Sequence, residues 1–229
     1  MEMDWHQAVQ ESLRWLAVAA VLTFAALAVC ATLVVRFSRW GRQFWQIAGP
    51  WLSPKRSWRP LLVFSLLLLL TLFSVRLNVL FSFWYNGFYS ALQGLDEKAF
   101  WYLLGVFAVL ATIHVLRALF TDYVTQAFSI HWRTALTERL TRDWTDGDAY
   151  YRGQFLDKPV DNPDQRIELD VNAFVTGSVT LTLGAVSAVV SLVAFTAILW
   201  GLSAPLTVAG VEVPRAMVFA AYLYVLVAT

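Results

Sequence analysis

This chain lacks the usual materials of a disulfide framework, a metal centre or a nucleotide-binding loop. Its one cysteine, Cys30, sits inside an apolar run and can form no internal disulfide. The three histidines, His6, His114 and His131, are not spaced as metal ligands, and no Ser, His and Asp set converges by any sequence signal. Of the three lysines, Lys55, Lys98 and Lys158, none follows a glycine, as the lysine of a phosphate-cradling Walker A loop must. The chain is therefore expected to bind no ATP through such a loop, and no cofactor or metal is expected in it. Charge is scarce too: 14% of residues are charged, against about 25% in a soluble domain, and the net charge of +1 gives no footprint for nucleic acid. The acidic stretch from Asp143 to Asp170 lacks the glycine and ligand spacing of an EF-hand loop, so it reads as a solvated, partner-facing surface.

What the chain has instead is grease. Apolar residues make up 59% of it, against roughly 45–50% in soluble proteins. Eleven tryptophans accompany them, and seven (Trp15, Trp40, Trp45, Trp58, Trp84, Trp101 and Trp200) lie near the ends of apolar runs, the pattern of an aromatic belt at headgroup level. The lipid bilayer is thus the first partner the sequence implies.

No residue from Trp15 to Val35 is charged, and at ~1.5 Å per residue this run covers a ~30 Å hydrocarbon layer. A cleaved signal peptide is the rival reading. Its apolar core would be about 7–15 residues behind a basic start, whereas Glu2, Asp4 and Glu11 outnumber Arg14 here. Further spans are expected at about 61–83, after Pro60; at about 99–120; at about 174–200; and at about 214–229, beyond the breaks at Gly201, Pro205 and Gly210. The class is all-α and polytopic.

Lysine and arginine counts orient the spans, because basic loops stay cytoplasmic. Arg36, Arg39, Arg42, Lys55, Arg56 and Arg59 fill one connection; Arg117, Arg133, Arg139, Arg142, Arg152, Lys158 and Arg166 fill another; the intervening segments carry few. An N-terminus outside and both basic loops inside satisfy the alternation. Trp40, Phe44, Trp45, Ile47, Trp51 and Leu52 among the first set of arginines suggest an amphipathic segment at the inner interface, or a loop anchored by tryptophans.

Phe120, Tyr123, Val124, Ala127, Phe128, Trp132, Ala135, Leu136, Leu140 and Trp144 recur at helical steps with no Gly or Pro before Gly147. A helix from about Ala99 to Trp144 would be ~69 Å long at ~1.5 Å per residue, so more than half must stand in the cytoplasm. A second helix returns from the tip. Asn162 is a favoured N-cap, expected to accept a backbone N–H bond; Pro163 suits the first position; Gln165 falls where a capping box places Glu or Gln; Asp164 and Glu168 suit the positive helix end. Together they make a cytoplasmic hairpin, about residues 117–172, which locally reads either as a docking tip or as an ordinary helix start.

The six residues Asn162-Pro163-Asp164-Gln165-Arg166-Ile167, followed by Asp170, resemble the first coupling-helix region of ABC half-transporters of the BacA-related and peroxisomal fatty-acyl group. Gly41-Arg42-Gln43-Phe44-Trp45, Arg76-Leu77-Asn78-Val79-Leu80-Phe81-Ser82, Phe88-Tyr89-Ser90-Ala91-Leu92-Gln93, Asp148-Ala149-Tyr150-Tyr151-Arg152 and Pro214-Arg215-Ala216-Met217 extend the likeness from Gly41 onward. Within that group the chain is most similar to the mycobacterial-type multi-solute transporters of cobalamin and hydrophilic peptides. The resemblance implies an exporter-type transmembrane fold over residues 60–229, preceded over 1–59 by a tail, an additional helix and the basic connection. It also implies a homodimer in a bacterial inner membrane, a hydrophilic solute, and a nucleotide-binding domain using ATP and Mg in the same full-length polypeptide. The chain is expected to be C-terminally truncated relative to that whole and, by itself, not an enzyme. By the resemblance, Asp161, Asn162, Pro163, Asp164, Gln165, Arg166, Ile167 and Asp170 couple to the nucleotide-binding domain.

Polar groups inside apolar spans are costly unless they face a cavity or a partner. Arg76, Asn78, His114 and Arg117 qualify as cavity or substrate contacts, with Trp84, Tyr85 and Asn86 on the adjoining aromatic stretch. Arg76 equally suits snorkelling to headgroups, Arg117 an interfacial place, and the stripe Phe81, Trp84, Tyr85, Phe88 and Tyr89 helix packing. Two rival functions stay open: a proton-driven peptide-uptake protein without an ATPase domain, and a non-transporting membrane adaptor. Arg166 and the Asn-Pro-Asp-Gln cap favour the ATP-driven reading, because a coupling tip needs something to dock on.

Overall fold

The computed structural model describes residues 5–53, 57–152, 155, 162–203, 206–208, 211–213 and 215–228. In chain order these form α1 (Trp5–Phe37), α2 (Arg39–Leu52), α3 (Arg59–Gln93), α4 (Glu97–Thr145), a 3-10 turn (Asp146–Asp148), α5 (Ala149–Arg152), α6 (Pro163–Leu202), β1 (Leu206–Val208), β2 (Val211–Val213) and α7 (Ala216–Ala228). The fold is all-α but for β1 and β2, three residues each and paired antiparallel, which occupy the Gly- and Pro-broken interval expected to interrupt helix. Among the described residues four helices, α1, α3, α4 and α6, are long and apolar enough to cross a membrane; α7, at 13 residues, is shorter.

α3 and α4 form the spine. They meet through a short turn, Gly94 to Asp96, in which Leu95 adopts a left-handed φ of 51° and the Asp96 carboxylate accepts the Ala99 amide at 3.1 Å, capping α4. At 49 residues α4 is ~73 Å long, so it far outruns the hydrocarbon layer. Its buried stripe is Leu103, Leu110, Val124, Phe128, Trp132 and Leu136. The last four step by four residues and interlock with Val171, Val175 and Val179 of α6, which keep the same step. Phe120 and Tyr123, expected on that face, are 49% and 71% exposed instead: Tyr123 falls off the step of four, and Phe120 continues it but lies outside the packed cluster.

α1 lies against α3 and α6 through small side chains. Ala8, Ser12, Ala19, Ala20 and Thr23 fall on its inward side, with Leu16, Phe24 and Leu27 against Leu68, Leu72 and Val186. Small residues let helix backbones approach where lipid supplies no hydrophobic drive. After Phe37 the chain turns sharply into α2. A side chain at Gly41 would lie 2.3 Å from the Val34 carbonyl oxygen, so only glycine permits this corner. α2 then packs Ala48, Phe44, Trp51 and Leu52 onto the α4–α6 pair, and Phe44 meets Phe174 at 5.3 Å between ring centroids.

α6 starts at Pro163, but not by the expected device. Asn162 sits at φ 46°, ψ 62° and its side chain makes no cap hydrogen bond; its carbonyl oxygen accepts the Arg166 amide at 3.1 Å. Proline disfavours the right-handed helical well for the residue before it, and asparagine is among the few residues that tolerate the left-handed one. That turn carries the Asn162 amide group away from the first-turn N–H groups, so the expected capping box does not close. Asn162→Gly should therefore leave stability nearly unchanged while Asn162→Thr, a good cap but a poor left-handed residue, costs about 1–2 kcal/mol. Denaturant titration in detergent micelles reads the difference, and a Thr variant as stable as the parent would restore the side-chain cap.

Candidate functional site

The projecting end of the α4–α6 hairpin gathers the expected coupling residues. Asn162, Asp164, Gln165, Arg166 and Asp170 are exposed, Pro163 is half-buried, and Ile167 anchors the turn in the aromatic and valine core. Asp161 lies outside the described residues. The two helices are tied just inside the tip, where Arg133 Nη1 donates to Asn172 Oδ1 at 2.7 Å. Arg139 reaches the Gln46 carbonyl oxygen of α2 at 3.4 Å and faces Asp143 at 3.8 Å. An exposed pair of that kind contributes only a few tenths of a kcal/mol, so the apolar stripe holds the hairpin. Beside Arg133, a cavity of about 570 Å³ opens between the helices, lined among others by Thr137, Glu138, Trp144, Asp164, Glu168 and Asn172.

A second element at the tip did not stand out in the sequence. Gly147, at φ 59°, and Asp148, at φ 56°, reverse the chain into α5. Arg152 Nη2 donates back to the Gly147 carbonyl oxygen, and Tyr150 packs edge-on to Trp144. Tyr150, Tyr151 and Phe155 are 48%, 55% and 72% exposed. The signal was present in the Asp148–Arg152 motif, but nothing in its spacing distinguished a docking turn from a loop.

The candidate cavity residues separate into three groups. Arg76 and Trp84 belong to packing. Arg76 is 8% exposed; its Nε donates to Ser12 Oγ of α1 at 2.9 Å, and its guanidinium lies 5.9 Å from the Trp15 ring centroid. Ser12 passes the bond on to the Ala8 carbonyl oxygen. Trp84 is 6% exposed, donates Nε1 to the Leu103 carbonyl oxygen at 2.7 Å and stacks on Phe88. Its ring fastens α3 to α4.

Asn78, Tyr85 and Asn86 form the second group, exposed on α3 with Ser82 and Tyr89. Steps of four, three and four put Asn78, Ser82, Tyr85 and Tyr89 on one helical face, turned away from the α4 contact. One amide, one hydroxyl and two phenols facing hydrocarbon would be expensive, so this face calls for water or a polar partner.

His114 and Arg117 form the third. They interrupt the buried stripe of α4 between Leu110 and Val124, with the His114 ring edge-on to Phe81 at 5.8 Å. His114 Nδ1 and Arg117 Nε are buried without a hydrogen-bond partner. No group of three His, Cys, Asp or Glu side chains able to hold a metal comes together among the described residues.

Residues 47–229 match the family model described as ABC transporter transmembrane region 2. Two uncharacterized ABC transporter ATP-binding proteins of Haemophilus influenzae are 42% and 33% identical, each over 227 residues, 99% of this chain. The chain spans 38% of the length of each of those curated relatives. The lysosomal cobalamin transporter of Homo sapiens is 32% identical over 123 residues, 54% of this chain and 20% of its own length. With the family match covering the spine, the hairpin and α7, the chain belongs to the ABC transporter transmembrane region 2 family.

Proposed function

We propose that this membrane region moves a hydrophilic solute, cobalamin or peptide-like, across a bacterial inner membrane as one half of a homodimer driven by ATP. The observation that carries the proposal is the hairpin: α4 and α6 run unbroken from the apolar layer to an exposed polar tip, joined by a continuous apolar seam. A pair of helices so fastened transmits displacement at one end to the other. ATP and magnesium would act at a nucleotide-binding domain of the full-length protein. The tip residues Asn162, Asp164, Gln165, Arg166 and Asp170 would meet that domain, with Tyr150 and Tyr151 beside them. Arg166 offers a planar, permanently charged fork suited to carboxylate or carbonyl acceptors.

The unburied polar face of α3 supports a hydrophilic cargo. Asn78, Tyr85 and Asn86 would line the dimer's central pathway, with His114 and Arg117 deeper along the α3–α4 seam. The kinship with a cobalamin transporter supports the solute class, and the concentration of arginine around α2 and along the hairpin supports an outside N-terminus.

Three outcomes follow. In the full-length transporter, Arg166→Ala should preserve expression and ATP binding but lower solute uptake per ATP hydrolysed, measured in proteoliposomes; parental coupling in that variant would remove the tip from the mechanism. Asn78→Leu with Asn86→Leu should cut uptake several-fold while leaving basal ATP hydrolysis intact, since the change touches the pathway and not the hairpin. Single cysteines replacing Gln10, Lys55, Lys98 and Lys158 in a Cys30→Ser background should react with an impermeant thiol reagent outside, inside, outside and inside. Outside labelling at Lys158 would reverse the orientation. Lys55 and Lys158 lie outside the described residues.

A further inference from the structure

From Ser12 to Leu95 the chain contains no Asp or Glu, yet it carries eight Arg and Lys side chains. Three of them, Arg36, Arg39 and Arg42, crowd the corner between α1 and α2, and among the described residues none of the three is in an ion pair. Their positive charge has no counter-charge within reach of the corner's own sequence.

The corner is built, not loose. Gly41 admits the close approach of α2 to the Val34 carbonyl oxygen, and the Ser38 hydroxyl accepts the Gly41 amide at 3.4 Å. Arg42 Nη1 donates to the Arg36 carbonyl oxygen at 3.2 Å, which folds the Arg42 guanidinium back over the end of α1 beside Arg36. In the angle of the corner lies a cavity of about 320 Å³, walled by Ala31, Thr32, Val35, Arg36 and Trp45. The Trp45 indole is set across α2, with its Nε1 only 3.0 Å from where a side chain on Gly49 would begin. Nearby, Phe37 at the end of α1 and Trp40 and Ile47 on the amphipathic α2 are exposed, as residues seated in a headgroup layer would be.

Apolar walls that open onto unpaired guanidinium groups, at the point where a spanning helix leaves the hydrocarbon, match one kind of molecule: a lipid with an acyl chain and an anionic phosphate head. We infer that the α1–α2 corner is a binding site for an anionic glycerophospholipid, its acyl chain along Ala31, Val35 and Trp45 and its phosphate between Arg36 and Arg42, with Arg39 alongside. The inference rests on the membrane placement of α1, and it holds for either orientation. Occupancy would supply the missing negative charge and brace the corner against the α4–α6 pair, on which α2 also packs.

The test is native mass spectrometry of the purified chain released from nanodiscs containing equal dioleoylphosphatidylglycerol and dioleoylphosphatidylcholine. The parent should retain a single phosphatidylglycerol in preference to phosphatidylcholine. Arg36→Gln with Arg42→Gln should lose that preference by roughly fivefold per guanidinium removed, whereas Arg36→Lys with Arg42→Lys should keep most of it. Ala31→Trp, which fills the apolar half and leaves the charges, should lower retention, and free inorganic phosphate should not displace the lipid. Equal retention of the two lipids, an unchanged preference in the glutamine pair, or displacement by free phosphate would overturn the site. The readout uses neither ATP nor solute, so its failure is separable from a failure of the transport reading.

Discussion

A polar group carried into hydrocarbon finds no water, so it must bond within the protein or sit where the protein opens to solvent. The spanning helices meet this for the backbone by construction, and for small hydroxyls by turning them onto their own helix: Thr32 to Ala28, Thr71 to Leu67, Thr112 to Ala108. A guanidinium is too large and too rich in donors for that solution. Arg76 obliges a second helix to come alongside, and α1 supplies Ser12 and the Trp15 ring. The small residues that follow along α1, Ala19, Ala20 and Thr23, are then the ones that can lie flush on α3 and α6. An arginine that would be a liability in an isolated helix thus fixes the place of the helix beside it.

Below the apolar layer the governing force changes. Where the hairpin runs beyond the spans, the part of its seam made by Trp132, Leu136 and Val171 is stabilised by ordinary burial of apolar surface. Between the membrane packing zone around Leu103 and Leu110 and this water-side zone lies the polar interval of His114 and Arg117. The α3–α4 contact is therefore two apolar clusters with a less cohesive stretch between them. If the hairpin moves relative to the membrane half, that stretch is where the least packing is lost.

Much of this was legible from the chain itself. Charge-free runs set the spanning helices, and the absence of Gly and Pro between Phe120 and Gly147 foretold a helix too long for the bilayer. Pro163 marked the start of α6. Where the reading missed, the cause was tertiary. A helical period admits a broad apolar face, and only the reach of the partner helices selected Val124 and Phe128 over Phe120 and Tyr123. Asn162 has the chemistry of a cap, but the proline after it and the left-handed turn decided its geometry. Arg76 looked like a headgroup or cavity residue because its partner, Ser12, lies 64 positions away. Trp84, open on sequence between helix packing and a cavity, donates its indole N–H to the Leu103 carbonyl.

The Arg76 bond to Ser12 also bears on how the chain enters the membrane. A lone arginine near the middle of a helix leaving the insertion machinery is penalised by about 2.5–3.5 kcal/mol. α1 emerges from the ribosome before α3, so the helix that carries Ser12 is already made when Arg76 arrives. The earlier helix can then act as a receptor for the later one, so that translation order, rather than the hydropathy of α3 alone, carries the arginine into place.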